Sequence, residues 1–236
     1  MAFRGFGLGI MRRLRGTPID EADLVIRECR QFIDGGVFFD VGANVGEVSE
    51  AMLPHASRIV AIEPDPASFA ELDRRLGNRV TCVQALVGPD GEQRTFLTNT
   101  NASKSSTSVI PGEEPPGHDY FTRTSMQAIS LDSLAARHGM PSLVKVDVEG
   151  CEMSVLDSAQ AVLAAKPVFI MEFNALCLSN FGRVNPRDAI DRLLATFPKV
   201  EVITQRGRQR VTDPYVFLMA NIIDNGSVDN VVCSWR

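Results

Sequence analysis

VFFDVGANVGE at 37–47, followed by VAIEPDP at 60–66, couples an apolar strand, a glycine turn, a helix start and a distant carboxylate. Val37, Phe38, Phe39 and Val41 make a short apolar run suited to a strand covered on both faces, and Gly42 and Gly46 bracket the turn that opens a helix. Glycine lets backbone approach a ligand, and a helix start offers unpaired N–H groups to an anionic ligand group. A second strand, 58–62, ends in Glu63, about 20 residues past the first glycine, where two-strand nucleotide folds place the acid that binds ribose hydroxyls. The ordered pair predicts a site for a nucleoside-containing cofactor.

The spelling of the turn narrows the cofactor. A dinucleotide fingerprint needs glycine at its first, third and sixth positions, and this turn reads Gly42, Asn44 and Glu47. Asp40, just before the first glycine, would meet a pyrophosphate unfavourably but can accept hydrogen bonds from a ligand ammonium. S-adenosylmethionine carries an ammonium and a ribose and no phosphate. The alternative role for Asp40 is a cap on the turn or helix that follows it.

Composition sets outer bounds. At 236 residues, 44% hydrophobic and with a net charge of −5, the chain suits one large α/β domain and does not point to nucleic acid as a partner. Five widely spaced cysteines read as reduced thiols, and the absence of a membrane-spanning run or a secretory h-region predicts a cytoplasmic protein. Residues 1–16 hold four arginines, no acid and several apolar side chains, a composition that suits a weak membrane-surface contact. The four glycines there weaken any amphipathic helix, so a tail packed on the domain is the competing expectation. The expected division is an arm with a lead-in helix at 1–34 and a catalytic domain at 35–236.

Further along, periodicity predicts helices at 20–33, 46–53, 66–76 and 131–138, one from about 150 to 163, and one over 189–197. Strands are expected at 80–88 with a hairpin partner at 94–100, then at 143–148, 167–173, 199–204 and 215–221, the last two paired as an antiparallel hairpin. Residues 101–125 lose periodicity, and a loop of that length is usually functional or disordered. Alternating strands and helices imply a mostly parallel sheet with helices on both faces.

A second constellation stands in LVKVDVEGCE at 143–152. Lys145, Asp147 and Glu149 alternate along the strand and so project to one side, and Glu152 follows just inside a helix. Carboxylates gathered at the carboxyl edge of a parallel sheet need something positive nearby, whether cofactor, Lys145 or a divalent metal. Glu149 and Glu152 also suit a helix N-terminus without any ligand.

DVGANVG, EP, LDSL, KVDVEGCE with VL, and a strand ending IMEF together give the chain a close resemblance to the FkbM-family methyltransferases over about residues 35–200. The Asp-x-Glu-Gly-x-Glu element at 147–152 is its most distinctive part. The resemblance implies a Rossmann-like, seven-stranded S-adenosylmethionine-dependent fold that methylates hydroxyls on sugars, glycans or polyketides. It carries Asp40, Gly42, Asn44, Gly46 and Glu63 into cofactor binding, and Asp147, Glu149 and Glu152 into the acidic site. Gln84, on the third strand run, joins the cofactor-binding candidates.

A hydroxyl acceptor has to lose its proton, and the candidate bases are Asp147, Glu149, Glu172 at the end of the 167–173 strand, and His118 in the long loop. A divalent cation on Asp147 and Glu149 would lower the hydroxyl pKa by another route. Two rival readings are a cofactor-binding scaffold without catalysis and a nicotinamide-dependent oxidoreductase, the latter opposed by the glycine spacing.

Overall fold

The computed structural model describes residues 21–99, 106–109 and 121–235. His118 and the N-terminal arm lie outside the described residues, as does most of the expected loop at 101–125. The chain begins with α1 (Glu21–Phe32), then runs β1 (Val37–Val41), α2 (Glu47–Met52), β2 (Arg58–Ile62), α3 (Pro66–Leu76) and β3 (Thr81–Val83). β4 (Leu86–Val87), β5 (Gln93–Asn99), β6 (Thr107–Val109) and β7 (Phe121–Ile129) follow, then α4 (Leu131–His138), β8 (Leu143–Val146), α5 (Glu152–Asp157) and α6 (Gln160–Ala164). The remainder is β9 (Val168–Asn174), α7 (Ala175–Asn180), α8 (Pro186–Thr196), β10 (Lys199–Thr204), β11 (Gly207–Arg210), α9 (Pro214–Met219), a π-helical turn (Ala220–Asp224) and β12 (Val228–Ser234).

Eight strands form the main sheet in the order β11-β10-β12-β9-β8-β1-β2-β3, parallel from β9 through β3. Strand alternation divides the core into two layers. Phe38, Ile59, Ala61 and Ile170 pack with Val25, Cys29, Met52 and Leu72 of α1, α2 and α3 on one face. Phe39, Val60, Val144 and Phe169 pack with Leu134, Leu156, Ile190 and Leu193 of α4, α5 and α8 on the other. Neighbouring residues Phe38 and Phe39 thus serve opposite cores, the outcome expected of a strand buried on both faces. The mixed α/β, Rossmann-like class read from the sequence holds, with an extra edge strand, β11.

Several local expectations are corrected. The run at 215–221 is helical, because Asp213 accepts from the N–H groups of Tyr215 (2.8 Å) and Val216 (3.2 Å) and Pro214 occupies the first turn. Its aromatic and β-branched residues favoured a strand, and the cap outweighs them. The partner of β10 is instead β11, inside the stretch expected to be a loop, while β12 slots antiparallel between β9 and β10. The hairpin expected between 80–88 and 94–100 is also absent. β5 pairs with β7 and β6, so a second, four-stranded sheet ordered β4-β7-β5-β6 stands beside the main one, and Phe121–Ser125 is strand. The helix expected over 150–163 breaks at Ser158, whose Oγ donates to Val155 O (2.7 Å), and Asp132 caps the second piece through Ala161 and Val162 N–H, both at 2.9 Å.

Among the described residues no helix is long and apolar enough to cross a membrane. Replacing the exposed cap in Asp213→Ala is expected to lower unfolding free energy in urea by about 1 kcal/mol. No measurable change would show that α9 does not depend on it.

Candidate active site

A cavity of about 300 Å³ opens at the carboxyl edge of the sheet, at the small end of the range for ligand sites. Its floor is the turn after β1. Gly42 has φ +76°, and a Cβ there would lie 1.8 Å from the carbonyl oxygen of Asp147, so only bare backbone fits between the chains leaving β1 and β8. Asn44, at φ 49°, uses a left-handed conformation that asparagine tolerates. Gly46 serves a different purpose. A Cβ there would come within 2.6 Å of Leu76 and 2.7 Å of Leu72, so this glycine lets α2 pack on α3 and is not part of the cavity lining.

Glu63 stands at one end of the cavity. Its Oε2 accepts from Asn44 N–H and its Oε1 from Asp65 N–H, both at 2.8 Å, which fixes the carboxylate and leaves further lone pairs for ligand hydroxyls. Burial pushes its pKa up to about 7 against those two hydrogen bonds. Asp65 joins the lining, caps α3 through Ser68 N–H (2.9 Å) and accepts from Thr98 Oγ1 (3.0 Å), tying the second sheet to the site. Gln84 is exposed and does not line the cavity.

Lys145 occupies the centre. It is the register partner of Asp40 across β1 and β8, and its Nζ donates to Gly42 O at 2.8 Å while lying 3.2 Å from Asp147 Oδ2 and 3.5 Å from Asp40 Oδ1. Burial opposes its charge, but Asp147 and Asp40 outweigh that and hold the ammonium above its ordinary pKa. Asp40 is fully buried beneath this floor and outside the lining, where Ser49 Oγ donates to it at 2.7 Å. It therefore anchors α2 and Lys145, and the structure does not bring it to a ligand ammonium.

Asp147, Glu149 and Glu172 all line the cavity beside Lys145. Glu149 has φ 53°, a strained backbone held by Gly150 at φ 105° and by Thr107 Oγ1, which donates to Glu149 O at 2.7 Å. Burial, then the charge of Asp147, raise its pKa to about 7. Glu172 is raised well above the carboxylate range, by burial first and then by Asp147 and Glu149, and its Oε2 is buried with no hydrogen-bond partner. Glu152 stays outside the lining: its Oε1 accepts from Val148 (3.2 Å) and Gly150 (3.1 Å) N–H and shapes the loop before α5. Burial brings it to about 7 as well.

Sequence reasoning missed part of the wall. Glu21 and Ala22 of α1, Ser106 to Ser108 around β6, and Asn230 of β12 all line the cavity. Only Asp65 carried a readable signal, the Asp-Pro start of α3. The others reach the site by long-range packing. Among the described residues, no group of three or more His, Cys, Asp or Glu side chains could hold a metal ion.

The donor set fits a nucleoside that lacks phosphate. Glu63 offers acceptors to ribose hydroxyls, the Gly42 turn offers bare backbone, and the acids around Lys145 favour a cationic centre over a pyrophosphate. Sheet order and cleft therefore define a Rossmann-like enzyme of the S-adenosylmethionine-using class. Residues 40–199 match the methyltransferase FkbM domain, and the chain belongs to that family. Its methyl donor is S-adenosylmethionine. The chain is 28% identical over 206 residues to the hexuronic acid methyltransferase AglP of Haloferax volcanii, covering 84% of this chain and 76% of that one. Two solved structures align across most of the chain: an rRNA methylase from Streptococcus thermophilus (7% identity, TM-score 0.49, 94% of this chain and 100% of that one) and a SAM-dependent O-methyltransferase from Thermotoga maritima (10%, 0.47, 96% and 70%).

Two outcomes follow. Glu63→Gln is expected to weaken S-adenosylmethionine binding by about 1.5–3 kcal/mol, the range for hydrogen bonds to a charged group. Calorimetric titration of a folded variant with unchanged affinity would contradict the role. The second concerns pH. Glu63, Glu149 and Glu152 lie near 7 in the fold against an ordinary 4.5, so the native state binds more protons between those values. Their contribution to stability is full below 4.5 and lost as pH rises through about 7. Thermal midpoints of the ligand-free protein should fall as pH is raised across that window, and a flat or rising midpoint would contradict the burial of these acids.

Proposed function

We propose that this methyltransferase transfers the donor's methyl group to a hydroxyl of a sugar, glycan or polyketide-type small molecule, in the cytoplasm. The observation that carries the reading is the placement of Glu149: a half-buried carboxylate in the cleft wall beside Asp147 and Lys145, its backbone fixed by Thr107, with burial raising its pKa toward that of a base working at neutral pH. When bound, S-adenosylmethionine supplies an activated sulfonium methyl. The protein then has to bind, align and deprotonate, and alignment alone can supply much of the barrier reduction.

In this reading Glu63 and the Gly42–Asn44 backbone hold the nucleoside, and Lys145 fixes Asp147 at the cleft wall. Glu149 would accept the proton of the acceptor hydroxyl, and the donor held by Glu63 and the Gly42 turn would supply the methyl group to that hydroxyl oxygen, with S-adenosylhomocysteine as the leaving product. The strained backbone at Glu149, pinned by Thr107, holds the carboxyl in place against relaxation. The Haloferax relative, named for a sugar acid, supports a carbohydrate-type acceptor.

Glu149→Gln preserves volume and removes the base. Turnover on an authentic hydroxyl acceptor should fall by about 100-fold or more, the range for positioned proton transfer, while donor affinity changes little. Near wild-type turnover in that variant would move the base to Glu172 or Asp147.

A further inference from the structure

We propose that α7 holds the carboxyl of Glu149 in place, with Cys177 as the positioning residue. The inference rests on Glu149 as the base of methyl transfer and goes beyond it by naming the element that aims that base.

Local sequence brings α7 onto the acidic loop. β9 ends at Asn174, whose Oδ1 accepts from Cys177 N–H at 3.1 Å and so caps the first turn of α7. That turn lies against the chain leaving β8. A Cβ on Gly150 would overlap the carbonyl of Cys177, and a Cβ on Gly182, just past α7, would overlap the carbonyl of Gly150. The two glycines thus admit a backbone-to-backbone approach that a side chain would block. The approach brings Cys177 Sγ to Glu149 Oε2, to which it donates at 3.5 Å. Thr107 of the second sheet donates to Glu149 O at 2.7 Å, so the backbone and the carboxyl of one residue are held by two separate elements.

The chemistry of the contact suits a base. Among the described residues, the titratable groups facing Glu149 are Asp147 and Lys145, Glu152 of α5, Glu172 of β9 and Cys177 of α7. Asp147, Glu152 and Glu172 are acids that repel a second charge, and Lys145 is shared among Gly42 O, Asp147 and Asp40. A cation in the place of Cys177 would hold the carboxylate in an ion pair and depress its basicity. A thiol is a weak, neutral donor, so it orients Oε2 and leaves Oε1 able to take the acceptor's proton. Burial, then the charge of Glu149, raise the pKa of this thiol, which therefore stays an S–H donor.

Infrared spectra in the S–H stretching region test the contact without any acceptor. The difference between wild type and Cys177→Ala isolates the Cys177 band, and Glu149→Ala should move that band to higher frequency, because donation to a carboxyl lowers an S–H stretch. A band that Glu149→Ala leaves unmoved would overturn the proposal. Turnover is read as S-adenosylhomocysteine release with methyl glucoside and methyl glucuronide as acceptors. Cys177→Ala should lower kcat by about fivefold, the size of one net hydrogen bond, with acceptor KM and S-adenosylmethionine affinity unchanged. Cys177→Ser, close to Ala in size but able to donate, should recover most of that loss. In the Glu149→Gln background Cys177→Ala should lower kcat no further, since its effect passes through the carboxylate. An equal loss in both backgrounds, a loss confined to KM, or a Ser variant as slow as Ala would assign Cys177 to packing and overturn its positioning role. Near wild-type turnover in Glu149→Gln itself, or no turnover of either sugar by wild type, would instead count against the base or the sugar acceptor, and the infrared band then decides the positioning contact alone.

Discussion

The buried ammonium of Lys145 is the constraint on which the site depends. It holds the carbonyl of Gly42, and with it the donor turn, against the chain leaving β8, and it neutralises Asp40 below and Asp147 above. Removing one partner from such an arrangement costs several kcal/mol, because the remaining charge stays buried and uncompensated. One cation thus sets both the height of the glycine turn and the position of the first acid in the cleft wall. The absence of a Cβ at Gly42 is the steric half of the same contact.

Lys145 is the one cation in the described lining, and it is already shared among Gly42 O, Asp147 and Asp40. Glu63, Glu149 and Glu172 line the cavity with carboxyls that burial drives toward the protonated form. Such a cleft suits the cationic sulfonium of S-adenosylmethionine. The charge pattern also opposes a dinucleotide, whose pyrophosphate would sit among these groups. Family membership and local electrostatics reach the same cofactor by separate routes.

Much of this was legible in the sequence where the signal was local. The β1 turn, Glu63 and the 143–152 element each combine a strand with a charged or glycine residue at fixed spacing, and Gly42, Glu63, Lys145, Asp147 and Glu149 line one cavity, whereas Glu152 lies outside it and β8 ends at Val146. Gly46 was misassigned because a glycine required for packing on Leu72 and Leu76 looks, in sequence, the same as one required by a ligand. Asp40 was placed one layer too high, since nothing local reveals that Lys145 from β8 lies above it. The C-terminal strands failed for a related reason: the aromatic run at 215–221 reads as β structure until Asp213 is seen to cap it, and β12 is inserted between strands distant in sequence. Glu21, Thr107 and Asn230 reach the cleft only through tertiary packing, so no motif could have announced them.

A crystal structure of the complex with S-adenosylhomocysteine tests the central claim most directly. The account predicts ribose hydroxyls within hydrogen-bond distance of the Glu63 carboxylate, about 2.6–3.0 Å, and the sulfur over the Gly42 turn, facing Asp147 and Glu149. A nucleoside bound away from Glu63, or a sulfur directed away from the acidic wall, would contradict it.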